Sequence, residues 1–187
     1  MMEEMIREFP RQMEEAMKMS FGIELPVPIS PIRSVLICGM GGSAIGGEFV
    51  ASFFRHESHV PIVCNRSYDI PSWVNEHSLV ILSSYSGNTE ETIEAFHGAS
   101  NRGAQMVVLS SNGKLKELAD EHGLNYVSMP PGMSSPRACI GYSMVNLMGI
   151  LIRLDLVSKA CIEFVRAGMQ LIKYDQDSII ESAEKVA

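Results

Sequence analysis

The stretch that decides the fold is SVLICGMGGS, residues 34–43. Its first five residues form an apolar run, which is typical of a strand buried on both faces of a sheet. The run passes directly into a glycine-rich loop, and residues 44–54 after it have a helical pattern. Glycine lets the backbone approach a ligand closely, and the helix start offers unpaired N–H groups to an anion. The stretch therefore predicts a strand, an anion-binding loop and a helix.

The same alternation of short apolar runs and helical segments continues along the chain. Strands are predicted at 34–38, 60–64, 79–83, 106–110 and 125–128, and helices between them at 44–54, 89–102 and 114–122. Strands that alternate with helices through short links favour right-handed parallel crossovers. The predicted fold class is therefore α/β, a doubly wound five-stranded parallel sheet of flavodoxin-like order 2-1-3-4-5 with helices on both faces.

The segments outside the predicted sheet are helical or extended. Residues 2–19 predict an amphipathic helix interrupted at Pro10, and proline-rich residues 22–33 predict an extended lead-in. Residues 137–153 predict a strongly apolar helix, and an uncovered apolar face of that size indicates a partner. Residues 155–187 predict a further helix that leads towards a second half. The predicted parts are a helix with lead-in at 1–33, a domain at 34–154 and a helical segment at 155–187.

Composition excludes several classes of function. Of 187 residues, 46% are hydrophobic and 20% charged, which is typical of a globular chain. The net charge of −7 argues against nonspecific nucleic-acid binding, which needs a basic surface. The four cysteines form no C-x-x-C pair, and neither a signal peptide nor a membrane span is visible. We expect a cytoplasmic protein with reduced thiols and with neither nucleic acid nor membrane as a partner.

A second loop, SSYSGNT at residues 83–89, also follows a predicted strand and opens a predicted helix. It carries three hydroxyls, on Ser84, Ser86 and Thr89, within six residues. One hydroxyl would be enough to cap the helix, so we favour ligand binding over capping alone. In a 2-1-3-4-5 sheet, the first and third strands are neighbours, and ligands bind beyond their carboxyl ends. The two loops leave those ends, so they are predicted to form one phosphate site.

A dinucleotide site is the alternative that the first loop leaves open. Gly39-x-Gly41-x-x-Ala44 fits the dinucleotide pattern, although such a match alone is weak. A nucleotide fold usually places an acidic residue at the end of the second strand. Here that strand is followed by Asn65 and Arg66, and Arg66 could meet the 2′-phosphate of NADP.

Four segments together resemble a known family. Residues 39–47 and 84–92 resemble the two loops of the sugar isomerase (SIS) domain, and residues 136–142 and 9–12 narrow the resemblance to the first half of the bifunctional phosphoglucose/phosphomannose isomerases. The resemblance implies that Ser84, Ser86 and Thr89 hold the phosphate of a hexose 6-phosphate, that Gly42 and Ser43 line the sugar, and that Arg137 stabilises an enediolate. The implied substrate-binding residues are Gly41, Gly42, Ser43, Ser84, Ser86, Asn88 and Thr89, and the implied catalytic residue is Arg137.

The residues that move the proton are not visible in this chain. In the family that it resembles, the general base, the ring-opening histidine and a lysine lie in a second SIS half. Glu48 and Glu90 lie near the loops, but helix-surface or capping roles are favoured for them, and Tyr142 is expected in the core. No cofactor or metal is expected, and the expected partner is a second copy or a separately encoded second half. A complete single-domain phosphosugar isomerase and a non-catalytic sugar-phosphate sensor remain alternatives.

Overall fold

The computed structural model describes residues 2–22, 25, 28–133 and 135–186, so the predicted lead-in at 22–33 lies partly outside the described residues. Five strands form a single sheet of order β2-β1-β3-β4-β5 in which every neighbouring pair is parallel. The strands are β1 (Ser34–Cys38), β2 (Ile62–Asn65), β3 (Ser78–Ser83), β4 (Gln105–Ser110) and β5 (Asn125–Ser128). The predicted fold class and strand order are confirmed.

Helices cover both faces of the sheet. They are α1 (Met2–Arg7), α2 (Phe9–Gly22), α3 (Gly41–Phe53), α4 (Glu90–Asn101), α5 (Lys114–Glu121), α6 (Ile140–Arg153) and α7 (Cys161–Glu184), and a short 3₁₀ helix, Pro136–Cys139, precedes α6. Side chains alternate along each strand, so Ile81 packs with α2, α3 and α6 while Val80 and Leu82 pack with α4 and α5. The central strand β3 is buried along its whole length.

Proline chemistry accounts for two differences from the predicted boundaries. Strand β2 begins at Ile62 and not at 60, since Pro61 has no N–H to donate and contributes only its carbonyl, which accepts from Val35 N at 2.9 Å. The break in the N-terminal helix falls at Glu8 and not at Pro10. Pro10 lies in the first turn of α2, where a missing N–H costs little.

The predicted helix at 155–187 is wrong at its start. Asp155 has a φ of 55°, a left-handed conformation that ends α6, and α7 begins at Cys161. Val157, in the intervening segment, forms an isolated antiparallel bridge with Ser58. This segment therefore pairs with the segment that follows α3 before α7 starts.

The apolar helix at 137–153 does not expose an apolar face, which corrects the expectation that it needs a partner. Every residue of α6 from 141 to 152 is buried, because α2 and α3 pack against it. A methyl group on Gly149 would lie 2.4 Å from Ser20 Cβ, so glycine lets α2 and α6 approach closely. Among the described residues, no helix combines the length and the apolar character that crossing a membrane requires.

Candidate functional site

The two predicted loops meet at the carboxyl ends of β1 and β3. Gly39 is where they touch, since a Cβ atom at this position would lie 2.7 Å from the Ser83 carbonyl oxygen. Gly39 N also donates to Asn65 O, at 3.1 Å, which ties the first loop to the end of β2. Any side chain at position 39 would push the loops apart. The close approach explains in physical terms why a glycine stands there.

Three hydroxyls converge in the second loop. Ser84 Oγ lies 2.7 Å from Thr89 Oγ1 and 3.5 Å from Ser86 Oγ. Ser84 is buried, whereas Ser86 is exposed. The Thr89 side chain makes no capping hydrogen bond although Thr89 occupies the N-cap of α4. The Thr89 hydroxyl therefore does not cap α4. As in any helix, the first backbone N–H groups of α4 have no acceptor within the helix.

The back of the serine loop is fixed to the loop after β4. Gly87 has a φ of 69°, and a Cβ there would lie 1.7 Å from Asn112 O. Asn88 Oδ1 accepts a hydrogen bond from Lys114 N at 2.9 Å, so it caps the start of α5. We predicted Asn88 as a ligand contact, and the structure gives its carbonyl oxygen a partner within the protein. Its contact with a ligand stays a prediction.

Tyr85 is the residue whose role the sequence did not reveal. Its hydroxyl donates to Pro130 O at 2.8 Å and accepts from Met133 N at 2.9 Å. Its carbonyl oxygen accepts from Ser111 N and Ser111 Oγ, at 3.0 and 2.7 Å. Burial raises the pKa of the Tyr85 hydroxyl, which keeps it protonated. The only signal in the sequence was one aromatic ring among small loop residues.

The glycine-rich loop leaves the start of α3 open. Gly41 is exposed, has a φ of 50° and has open space where a Cβ would lie. The N-cap residue, Met40, supplies no side-chain cap. Ser43 is buried, and its backbone N–H donates to Met40 O at 3.1 Å. Helices α3 and α4 thus both begin at this edge of the sheet without side-chain caps, and each helix start favours an anion.

Arg137 is exposed in the 3₁₀ helix that packs against α3. Tyr85 holds the preceding segment through Pro130 and Met133, so the part of the chain that carries Arg137 is anchored to the serine loop. Among the described residues, no hydrogen bond joins Arg137 to the loop hydroxyls. Its catalytic role stays a prediction.

Glu48 and Glu90, the two carboxylates that lie near the loops in sequence, have partners within the protein. Glu48 Oε2 lies 2.7 Å from Arg66 Nη2, and Glu90 Oε2 accepts from the Tyr68 hydroxyl at 3.4 Å. The ion pair with Glu48 also engages Arg66, the residue that would have to bind the 2′-phosphate of NADP. Across residues 2–22, 25, 28–133 and 135–186, no three His, Cys, Asp or Glu side chains gather where they could hold a metal ion.

The buried thiols and Tyr142 belong to the core. All four cysteines are free, and burial raises the pKa of Cys38 to about 12 and of Cys139 to about 11. Tyr142 is buried, as expected, and its hydroxyl donates to Glu15. Thiols with raised pKa values are poor nucleophiles at neutral pH, so the structure favours packing over chemistry for these groups.

Sequence relatives carry the names of sugar-phosphate enzymes. No family model matches the chain. The chain is 38% identical, over 154 residues, to the bifunctional phosphoglucose/phosphomannose isomerase of Caldicellulosiruptor bescii, covering 82% of this chain and 45% of that protein. The enzyme of the same name from Aquifex aeolicus is 38% identical over 65% of this chain and 39% of its own length. The D-glucosamine-6-phosphate 4-epimerase of Sulfolobus acidocaldarius is 35% identical over 66% of this chain and 39% of its own length.

Solved structures agree on the fold. A protein from Clostridium difficile 630 named as a candidate phosphosugar isomerase superposes with a TM-score of 0.76 at 17% identity, covering 94% of this chain and 53% of that one. The chain spans about half the length of the curated relatives that it matches. The chain is therefore a homologue of the bifunctional phosphoglucose/phosphomannose isomerases over about half their length, with the fold of the phosphosugar isomerase (SIS) domains.

Proposed function

We propose that this chain binds hexose 6-phosphates at the paired loops, as the first SIS half of an aldose–ketose isomerase. The reaction is the conversion of glucose 6-phosphate or mannose 6-phosphate to fructose 6-phosphate through a cis-enediol. The observation that carries the proposal is the convergence of three hydroxyls, Ser84, Ser86 and Thr89, at the uncapped start of α4. The relatives reported above are named for different reactions of phosphorylated sugars, which supports phosphate binding as the shared element.

Helix α4 and the loop hydroxyls would bind the phosphate together. The unpaired N–H groups of a helix start, together with its dipole, favour an anion. Ser86 is exposed and can turn its hydroxyl to a phosphate oxygen, while the buried Ser84 orients Thr89. Because the sheet brings the glycine-rich loop alongside, Gly41, Gly42 and Ser43 would contact the sugar.

The proposed chemistry is proton abstraction beside a carbonyl, which needs a base and stabilisation of the enediolate. We assign the stabilising role to Arg137, because an arginine without an ion pair among the described residues can meet the developing charge. We assign the base to a second SIS unit, since Glu48 and Glu90 already have partners. In this proposal, the paired loops of this chain bind the phosphate, and a group outside the chain transfers the proton.

The proposed second unit is another copy of this chain or a separately encoded half. Helix α3 starts at the glycine-rich loop and exposes Ile45, Phe49 and Phe53, two of which stack on each other. Contiguous exposed apolar side chains are typical of interaction surfaces. The proposal includes a cytoplasmic location, because the four cysteines are free thiols, as in a reducing compartment.

Calorimetry with fructose 6-phosphate tests whether the serine loop binds the phosphate. Replacing Ser86 and Thr89 together (Ser86→Ala, Thr89→Val) is expected to weaken binding about tenfold or more, since each removes a hydrogen bond to a charged group. Ser182→Ala is the matched control, because Ser182 Oγ donates to Ser178 O in α7, away from the loops. Equal affinity in the double variant and the control would remove the loop from the binding site.

A coupled isomerase assay tests the missing base. The isolated chain is expected to bind hexose phosphates and to turn them over very poorly. Full turnover by the purified chain would instead show that the base lies within this chain, either completed by a second copy or as part of a complete single-domain isomerase. Binding without turnover, even after a second half is added, would favour a sugar-phosphate sensor. Saturable quenching of NADPH fluorescence would restore the dinucleotide alternative.

A further inference from the structure

A cavity of about 410 Å³ lies at the end of the sheet opposite the paired loops. It is lined by Arg33, Ser34, Pro61, Val63, Trp73, Asn75 and His77. Arg33 directly precedes β1 and His77 directly precedes β3, whereas the candidate loops follow the other ends of these two strands. With a rise of about 3.3 Å per residue, the six residues of β3 separate the two places by about 20 Å. The cavity is thus distinct from the sugar-phosphate site.

The rim of the cavity is held by a network of hydrogen bonds. Asn75 Oδ1 accepts from His77 N at 2.8 Å, and Asn75 N donates to Ser78 Oγ at 3.1 Å. Arg33 N donates to His77 O at 2.7 Å, which joins the approach to β1 to the approach to β3. These bonds fix the backbone on which Arg33 and His77 stand. The cavity therefore has a defined shape before any ligand arrives.

The polar side of the cavity is cationic or donates hydrogen bonds. Arg33 makes no salt bridge with any residue in the described part of the chain, in a protein whose net charge is −7. The His77 side chain also lines the cavity and is 31% exposed. The Glu76 carboxylate lies 3.9 Å from His77 Nε2 and is 68% exposed, so solvent screens it. An exposed arginine beside a histidine suits a ligand with an anionic oxygen.

Part of the cavity wall is apolar. Trp73 is 40% exposed and Val63 is 39% exposed, and Pro61 completes this wall. An exposed indole face stacks favourably on another planar ring. The volume lies within the range of about 300–1,000 Å³ that is usual for small-molecule sites.

We propose that this cavity is a second binding site, which takes a small ligand made of a planar aromatic or heteroaromatic ring and one anionic group. The ring stacks on Trp73, and the anionic group binds Arg33 and His77. A nucleoside monophosphate and an aromatic carboxylate share this chemistry. The site does not depend on the proposed function of the paired loops.

The chain carries its own reporter for the test, because Trp73 is its single tryptophan. Tryptophan fluorescence of the purified chain is followed during titration with AMP, benzoate, adenosine and inorganic phosphate. Saturable quenching is expected with AMP or benzoate, and binding at least about tenfold weaker with adenosine and phosphate, which each lack one half of the motif. AMP and benzoate distinguish the two sources of the anionic group.

Variants locate the bound ligand. Arg33→Gln is expected to weaken binding of AMP or benzoate about tenfold, and His77→Ala provides a second test if Arg33→Gln fails to fold. Arg166→Gln removes the same charge from an exposed pair with Glu163 on α7 and should leave binding unchanged. The proposal is overturned if neither ligand quenches saturably, if adenosine binds as tightly as AMP, or if Arg33→Gln and His77→Ala leave the affinity unchanged. Quenching that is lost in Ser86→Ala would place the ligand in the paired loops and would also overturn it.

Discussion

Replacing Tyr85 with phenylalanine should release the segment that carries Arg137 while leaving the serine loop folded. The ring remains, so its packing is kept, but the hydrogen bonds of the hydroxyl with Pro130 O and Met133 N are lost. Each such bond contributes about 1 kcal/mol net, and leaving a partner unpaired costs about 1–3 kcal/mol when water is excluded. Tyr85, Pro130 and Met133 are only half-buried, so water can replace part of what is lost. We expect the free energy of unfolding to fall by about 1–2 kcal/mol.

Urea denaturation measures that fall, and hydrogen exchange shows where it arises. At the fully buried strand β3, a fall of about 1–2 kcal/mol in global stability speeds exchange about 5–30-fold, and a larger increase is expected at the Met133 amide. Tyr126→Phe is a matched control, because its hydroxyl donates to Ser110 O at 2.8 Å on the other side of the serine loop. Tyr174→Phe is a neutral control, since Tyr174 is 87% exposed.

A loss below about 0.5 kcal/mol, the range of neutral surface substitutions, would refute the assignment of Tyr85 as the anchor of this segment. Equal acceleration of exchange at the Met133 amide in Tyr85→Phe and Tyr126→Phe would also refute the assignment, because it would show that the whole domain is destabilised and not this segment alone. If the anchor holds, Tyr85→Phe should also weaken the contribution of Arg137 to turnover in the assembled enzyme. It should do so with little effect on phosphate affinity, since Ser84, Ser86 and Thr89 keep their contacts.

Three further perturbations follow from the same region. In urea titrations, Gly87→Ala should lower the free energy of unfolding by about 3 kcal/mol or more, because the added methyl group would collide with Asn112 O. Gly103→Ala is the control: Gly103 has a similar φ of 67° but open space around it, so the cost should be about 1 kcal/mol. Asn88→Ala should cost about 1 kcal/mol and speed amide exchange at the start of α5; unchanged stability would contradict its capping role. The Cys38 thiol ionises near pH 9 when unfolded and near 12 when folded, so its stabilisation is full below pH 9 and is lost as the pH rises towards 12. By pH 10 this removes about 1 kcal/mol, and the decline should be shallower in Cys38→Ala.

The sheet could be predicted because its signals are local. Each strand is a short apolar run, and the run at 34–38 has the predicted bounds in the structure. The strand order is the flavodoxin-like one expected of a doubly wound parallel sheet, and it is confirmed. Because the strand order places the two loops side by side, their contact could also be predicted from the sequence.

Predictions failed where long-range packing decides the environment. Helix α6 is apolar on every side, and the sequence could not show that α2, more than a hundred residues earlier, covers it. The role of Tyr85 depends on a segment 45 residues further on, and nothing in the loop points to Pro130. The start of α7 moved to Cys161 because Asp155 takes a left-handed conformation that helical periodicity does not reveal. The ligand contacts and Arg137 remain predictions, because they concern atoms of a substrate.

The pairing of α2 with α6 has a consequence for how the chain is made. Met13 and Ala16 of α2 are fully enclosed, largely against α6, which lies near the other end of the sequence. A ribosome that adds about 5–20 residues per second releases α2 on the order of ten seconds before α6. During that interval, the apolar side of α2 has no native cover. Nascent chains should therefore recruit a holdase chaperone at α2 and release it once α6 has emerged.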